Sequence, residues 1–364
     1  MPPDLRGARR QALLALLEAE HLDGLIVTHL PNVRYLTGFS GTSAVAVVLP
    51  DVTVFLTDFR YRTQAQAEVG DAFRIEIVGS DLWSRLWDVV REYPGAGTLG
   101  FESHAVTVHQ AATFAKPEVP CRTRGVTELV ERLRAVKHSS EVDAIRAAAS
   151  LATEALDQAL QAVRVGQREH EVAATLEGEL RRRGSEWHPF PTIVASGPRS
   201  ALPHAHTANR EIAAGDFLLV DFGAQLDGYC SDITRTVVVG RAPDERQKVV
   251  YGLVREAQRN AREQIRAGMT GRDGDALARS LIEARGFGDA FGHSLGHGLG
   301  LEVHEAPRVS KANEQPLPAH AVVTIEPGIY VPGWGGVRIE DDVYLSPAGP
   351  VLLSNGLTEL RTLG

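Results

Sequence analysis

The chain has 364 residues, 43% hydrophobic and 23% charged, enough for about two globular domains at ~150 residues each. A net charge of −8 argues against a nucleic-acid or anionic-membrane partner. Cys121 and Cys230 are too few for a Cys₄ zinc site or a disulfide framework, and no apolar run approaches the ~20 residues that cross a bilayer, so a cytoplasmic protein is expected.

The first segment, "RRQALLALLEAE", has helical spacing, and glutamates follow it where a signal peptide would place small residues. "GLIVTH" and "AVAVVLP" predict buried strands, "VTVFLTD" a third, Tyr61–Val69 a helix, and "SDLWSRLWDVVREY" an amphipathic helix with Leu82, Leu86, Trp87 and Val90 on one face. With the strand "TLGFE", this predicts an α/β domain over residues 1–130. From "KHSSEVDAIRAAASLATEALDQALQAV" the pattern changes. A long helix starts with a Ser140/Asp143 capping box and stops at Gly166, and "REHEVAATLEGELRRRG" forms a second helix. Strands then dominate, interrupted by helices near Asp244–Ala267 and Gly271–Arg285. The order of helix pairs and hairpins hints at two similar halves and predicts an α+β domain with an antiparallel sheet over residues 131–364.

Carboxylates stand inside these strand patterns. In "FLLVDFGAQLDGYCSDITRTVVV", a type I turn at Gln225–Gly228 would centre the hairpin between Leu226 and Asp227 and set Asp221 nearly opposite Asp232. Like charges across a ladder destabilise it, and buried ions cost several kcal/mol each, about the cost that a bound cation removes. The bland alternative is that one of the two, Asp232 above all, faces solvent or pairs with Arg235. Glu326 in "VVTIEPGIYV" and Glu340 in "GGVRIEDDVYL" repeat the anomaly, and the four carboxylates predict a hard-oxygen pocket for divalent ions.

"GHSLGHGLGLEVHE" adds His293, His297 and His304. It lacks the glutamate that a zincin helix needs after its first histidine, and each glycine would cost about 1 kcal/mol in a helix interior. A loop or short strand is therefore expected. Any imidazole joining the carboxylates shifts metal preference toward manganese, cobalt, iron or zinc.

"DFGAQLDGYCSDITRT", "GHSLGHGLGLEVHE", "TIEPGIY" and "GGVRIEDD" resemble, in order and spacing, the motifs of the pita-bread Xaa-Pro peptidases, the prolidases and aminopeptidases P. "NVRYLTGFSGT" and "FLTDFRYRTQA" resemble the creatinase-type N-terminal domain, and "SGPRSALPHAHT" the substrate loop. The resemblance implies a curved antiparallel sheet and two divalent ions per chain, Mn²⁺ first, with Co²⁺ or Zn²⁺ as alternatives. Asp221 would chelate one ion, Asp232 and Glu340 would bridge both, and His297 and Glu326 would complete the second. His293, His304 and His204 would line the substrate side, with Arg308 near the proline end and Arg338 holding a metal glutamate. Glu326 would carry the proton and His304 would steady the carbonyl. The implied substrates are peptides with proline second, the implied assembly is a homodimer, and an Xaa-Pro dipeptidase is preferred to an aminopeptidase P. Other enzymes of this fold, and a metal-free binding module, are the remaining alternatives. Pro191 after Phe190 and Ala205 after His204 depart from the family's substrate-loop motifs.

Overall fold

The computed structural model describes residues 3–79, 81–356 and 358–364. The chain forms two compact units, 1–134 and 135–364.

The first unit runs α1 (Pro3–Ala19), β1 (Gly24–Val27), α2 (Leu30–Thr37), β2 (Ala44–Val48), β3 (Thr53–Asp58), α3 (Arg62–Glu68), β4 (Arg74–Val78), α4 (Leu82–Arg91), β5 (Thr98–Glu102), α5 (Val108–Phe114), β6 (Arg122–Val126) and α6 (Leu129–Arg134). Its six-stranded sheet has the order β4-β3-β2-β1-β5-β6. β2 lies antiparallel to β1 and β3, and the outer pairs are parallel, so the sheet is mixed. β1 and β2 are buried throughout, as their unbroken apolar runs require. On α4, Leu86, Trp87 and Val90 are buried and Leu82 packs at the edge of the same core.

The second unit opens with α7 (Ser139–Leu160) and α8 (Glu169–Arg182). The capping box of α7 pairs His138 with Glu141, not Ser140 with Asp143. The helix ends at Leu160, and Gly166 takes its left-handed φ of 86° six residues later. Alanines 148, 149, 152, 155 and 159 let α7 sit close against β8 (Phe217–Phe222) and β11 (Ile233–Val239). β7 (Ile193–Ser196) flanks β8. β9 (Gln225–Leu226) and β10 (Tyr229–Cys230) finish the hairpin between β8 and β11. After α9 (Glu245–Gln264) and α10 (Gly271–Ala284) come β12 (Gly296–Gly298), β13 (Glu305–Val309), β14 (Val322–Ile325), β15 (Gly328–Val331), β16 (Gly335–Arg338), β17 (Asp341–Ser346), β18 (Gly349–Leu352) and β19 (Thr362–Leu363).

A five-stranded antiparallel sheet, β13-β12-β14-β17-β18, and a four-stranded sheet, β19-β11-β8-β7, carry the second unit. Leu218, Val220 and Phe222 face the core beneath α7 and α8. Strand alternation therefore turns Asp221 to the other face. There the Thr234 and Thr236 hydroxyls stitch β11 to the Arg338–Glu340 segment.

Candidate metal centre

The β8–β11 hairpin is tighter than the turn inferred from sequence. Leu226 pairs with Tyr229, and Asp227 (φ 49°) and Gly228 (φ 76°) both adopt left-handed backbone, a two-residue loop of the I′ kind. The ladder is shifted accordingly: Asp221 lies opposite Thr234, not Asp232. Asp232 precedes Thr234 by two residues and so approaches Asp221 diagonally. The other two acids stand at strand breaks rather than inside strands. Glu326 follows β14, and Glu340 sits between β16 and β17.

These breaks bring the acids around one imidazole. His297 Nε2 is 3.6 Å from Asp232 Oδ2 and 3.5 Å from Glu326 Oε1. Donor atoms of Asp232, His297 and Glu340 all lie within 4.8 Å of one another. The opposite ring nitrogen, Nδ1, is 3.1 Å from the Gly298 carbonyl, which fixes a proton there and leaves the Nε2 lone pair toward the carboxylates. β12 holds His297 between two neighbours at close range. A Cβ at Gly296 would stand 1.9 Å from the Thr324 carbonyl, and one at Gly298 would stand 2.1 Å from the Ala306 carbonyl. The stretch is a short strand in a loop, as expected from its glycines.

Asp221, Asp232 and Glu340 each keep one buried oxygen without a hydrogen-bond partner. Among the described residues, one ion pair to an arginine or lysine reaches the four carboxylates: Arg338 Nη2 to Asp221 Oδ2 at 2.5 Å. Arg338 thus holds Asp221, not the glutamate it precedes. It also donates to Tyr330 Oη at 2.8 Å, Thr234 Oγ1 at 3.0 Å and the Pro203 carbonyl at 3.1 Å. Thr234 in turn donates to Glu340 Oε2 at 2.6 Å. Arg235, the alternative partner for Asp232, pairs with Asp341 instead.

Without a cation the charges repel. Burial, then the neighbouring Glu340, raises Asp232 and Glu326 well above the carboxylate range. Burial, then Asp221, pushes Glu340 up to about 8. Burial and His304 lower His297 to about 3, so its ring is neutral and free to ligate. Orphaned anionic oxygens around a neutral imidazole fit divalent ions of the manganese-to-zinc group.

A cavity of about 630 Å³ opens over this cluster, lined by all five of these residues together with His204, His293, His304, Arg308 and Arg338. The His304 ring lies 4.2 Å from that of His297, and His304 and Arg308 are exposed. His293 has both ring nitrogens engaged, Nδ1 at 2.8 Å from the Ser294 carbonyl and Nε2 at 2.9 Å from Tyr330 Oη. Sequence reasoning missed Thr234, Tyr330 and Asp342. Thr234 was recoverable as the second residue after Asp232 on the same face. Asp342, fully buried with an unpartnered Oδ1, carries no signal beyond a third consecutive acid. In the first unit Glu102, His104 and Glu131 also converge. There the Asn32 amide donates to both carboxylates, at 2.6 and 2.5 Å, so protein donors already meet the charge.

The sequence matches the model of metallopeptidase family M24 over residues 143–347 and that of the creatinase/prolidase N-terminal domain over residues 9–136. It is 35% identical to an Xaa-Pro dipeptidase of Pyrococcus furiosus, over 97% of this chain and 99% of the relative. The structure resembles an Xaa-Pro dipeptidase from Bacillus anthracis with a TM-score of 0.95 and 38% identity, covering 98% of this chain and 100% of that one. It also resembles an X-Pro aminopeptidase from Thermotoga maritima with a TM-score of 0.88 and 36% identity, covering 94% and 98%.

Proposed function

The chain belongs to metallopeptidase family M24, and from that premise we propose that it is a dinuclear, metal-dependent Xaa-Pro dipeptidase. Its fold is that of the pita-bread prolidases behind a creatinase-type domain. The observation that carries the reading is the set of orphaned carboxylate oxygens facing a neutral His297. Asp221, Asp232, His297, Glu326 and Glu340 would hold two divalent ions, manganese first, with cobalt or zinc as alternatives. When bound, such ions supply activated water near neutral pH and polarise the carbonyl before proline.

The chain's own groups do the rest. Glu326, whose proton affinity is raised by burial, takes a proton and returns it to the proline nitrogen as the bond breaks. His304, exposed on the cavity side, steadies the carbonyl oxygen as negative charge develops there. His293 shapes the pocket, since both its nitrogens are held. Arg338 aims Asp221 through the 2.5 Å ion pair. Arg308 gives the cavity a cationic side to receive the carboxylate that ends a dipeptide, and His204, which also lines the cavity, offers a ring N–H beside it. An amidated dipeptide or an Xaa-Pro-Xaa peptide lacks that carboxylate next to proline and should be poor. Equal turnover of Xaa-Pro and Xaa-Pro-Xaa would favour the aminopeptidase reading that the Thermotoga neighbour supports. A homodimer in the cytoplasm completes the proposal, and light scattering of the purified protein tests the assembly.

A further inference from the structure

α10 carries an ion pair one turn apart, Asp275 buried and Arg279 largely covered. Arg279 Nε lies 2.5 Å from Asp275 Oδ2 and Nη2 lies 3.0 Å from Oδ1, with Asp275 1% exposed. Neither side chain lines the cavity. Their remaining hydrogen bonds go to the backbone of the loop between α10 and β12. Arg279 Nη1 donates to the Phe291 carbonyl at 2.9 Å, and Nη2 to the His293 carbonyl at 2.7 Å. Asp275 Oδ1 accepts from Leu295 N at 3.0 Å. The guanidinium also lies 4.1 Å over the Phe291 ring. Leu295 continues into the site through its next peptide, where the Leu295 carbonyl accepts from Glu326 N at 2.8 Å.

We propose that Asp275 and Arg279 are positioning residues that set His293 and Glu326 by clamping the 291–295 backbone. Stability alone does not account for the pair, because a buried ion pair gains little over an apolar pair of the same volume. What it supplies is geometry. A planar fork fixes two carbonyls at once, and the carboxylate fixes the amide between them and Glu326. Residues 291 and 293–295 lie outside helices and strands, so their backbone takes its register from these side chains. Groups that orient metal-site residues typically change metal affinity or activity by about 10–100-fold when removed.

The inference rests on the proposed reading of the metal centre, and its test has an arm independent of substrate. Asp275→Asn, Arg279→Lys and the double replacement Asp275→Leu/Arg279→Met remove the clamp in three ways, the last without leaving a charge unpaired. Leu281→Ala on the same helix packs against the apolar core and controls for lost stability. Each protein is titrated with Mn²⁺ by calorimetry and assayed on an Xaa-Pro dipeptide well below its own Tm. The clamp variants should bind Mn²⁺ at least about tenfold more weakly and lose about 10–100-fold in kcat, with KM changed less than about threefold. Leu281→Ala should keep both properties. Clamp variants that stay within about threefold of the wild type in Mn²⁺ affinity and kcat, or a Leu281→Ala protein that loses as much, would overturn the proposal. A wild type that ignores Xaa-Pro dipeptides would sink the substrate reading, while the Mn²⁺ arm still decides the clamp.

Discussion

Replacing Arg338 with methionine removes the guanidinium that reaches the carboxylate cluster and leaves the side-chain volume nearly filled. Asp221 then keeps two buried oxygens with no cation beside them, and Tyr330, Thr234 and the Pro203 carbonyl each lose a donor. Breaking a buried pair by deleting one partner costs about 3–5 kcal/mol. An independent bound agrees. An uncompensated aspartate escapes by taking a proton, and doing so at pH 7 from an unfolded-state value near 3.9 costs about 4 kcal/mol at 1.36 kcal/mol per pH unit. For a unit of this size, roughly 2–4 °C of melting temperature per kcal/mol gives a fall of about 6–20 °C. The same bound drops to about 2 kcal/mol at pH 5.5, so the deficit should roughly halve there. Near-UV circular dichroism melts in chelator at the two pH values measure both quantities. A variant melting within about 2 °C of the wild type at pH 7, or a deficit that grows on acidification, would refute the electrostatic account of Arg338.

Glu326→Gln should lose about 10²–10⁴-fold in kcat, because a glutamine offers an oxygen but carries no proton; near-normal turnover would move the proton role to His304. Metal binding at pH 7 should release protons, read as a buffer-dependent heat in calorimetry, because Glu340 is pushed up to about 8 and Asp232 and Glu326 are raised as well. Such raised carboxyls contribute stability that is full below their unfolded values near 4 and is lost as pH rises through the folded ones, so chelated protein should still be losing stability as pH approaches 8, where the opposing gain from His297, lowered from 6.5 to about 3, is nearly complete. Arg308→Ala should raise KM for Xaa-Pro dipeptides with little change in kcat, and an unchanged KM would remove Arg308 from carboxylate recognition.

The residues of the centre were legible as anomalies, acids where strands should be apolar, and the motifs gave their order. Their geometry was less so. Leu226-Asp227-Gly228-Tyr229 accommodates one left-handed residue or two, and the choice moves the ladder by two positions. Asp227 takes the left-handed conformation, so Asp221 meets Thr234. Glu326 and Glu340 read as strand interior because apolar residues flank them, yet the sheet breaks at both. Sequence proximity pairs Arg338 with Glu340 two residues on, whereas it reaches Asp221 across 117 residues, a contact that no local pattern encodes. The helices α2 (Leu30–Thr37), α5 (Val108–Phe114) and α6 (Leu129–Arg134) are too short for their periodicity to stand out. The clamp on α10 left a trace only as an acid and an arginine at helical spacing, which is common on solvated faces.

The central claim is that the buried carboxylates and His297 hold ions on which Xaa-Pro hydrolysis depends. Its most direct test is one titration: protein stripped with chelator, dialysed, and assayed for proline release from an Xaa-Pro dipeptide as Mn²⁺ is added back, with bound metal counted at each point. Stripped protein should be inactive, and activity should return as occupancy approaches two ions per chain. Full proline release from protein with no bound metal would contradict the account.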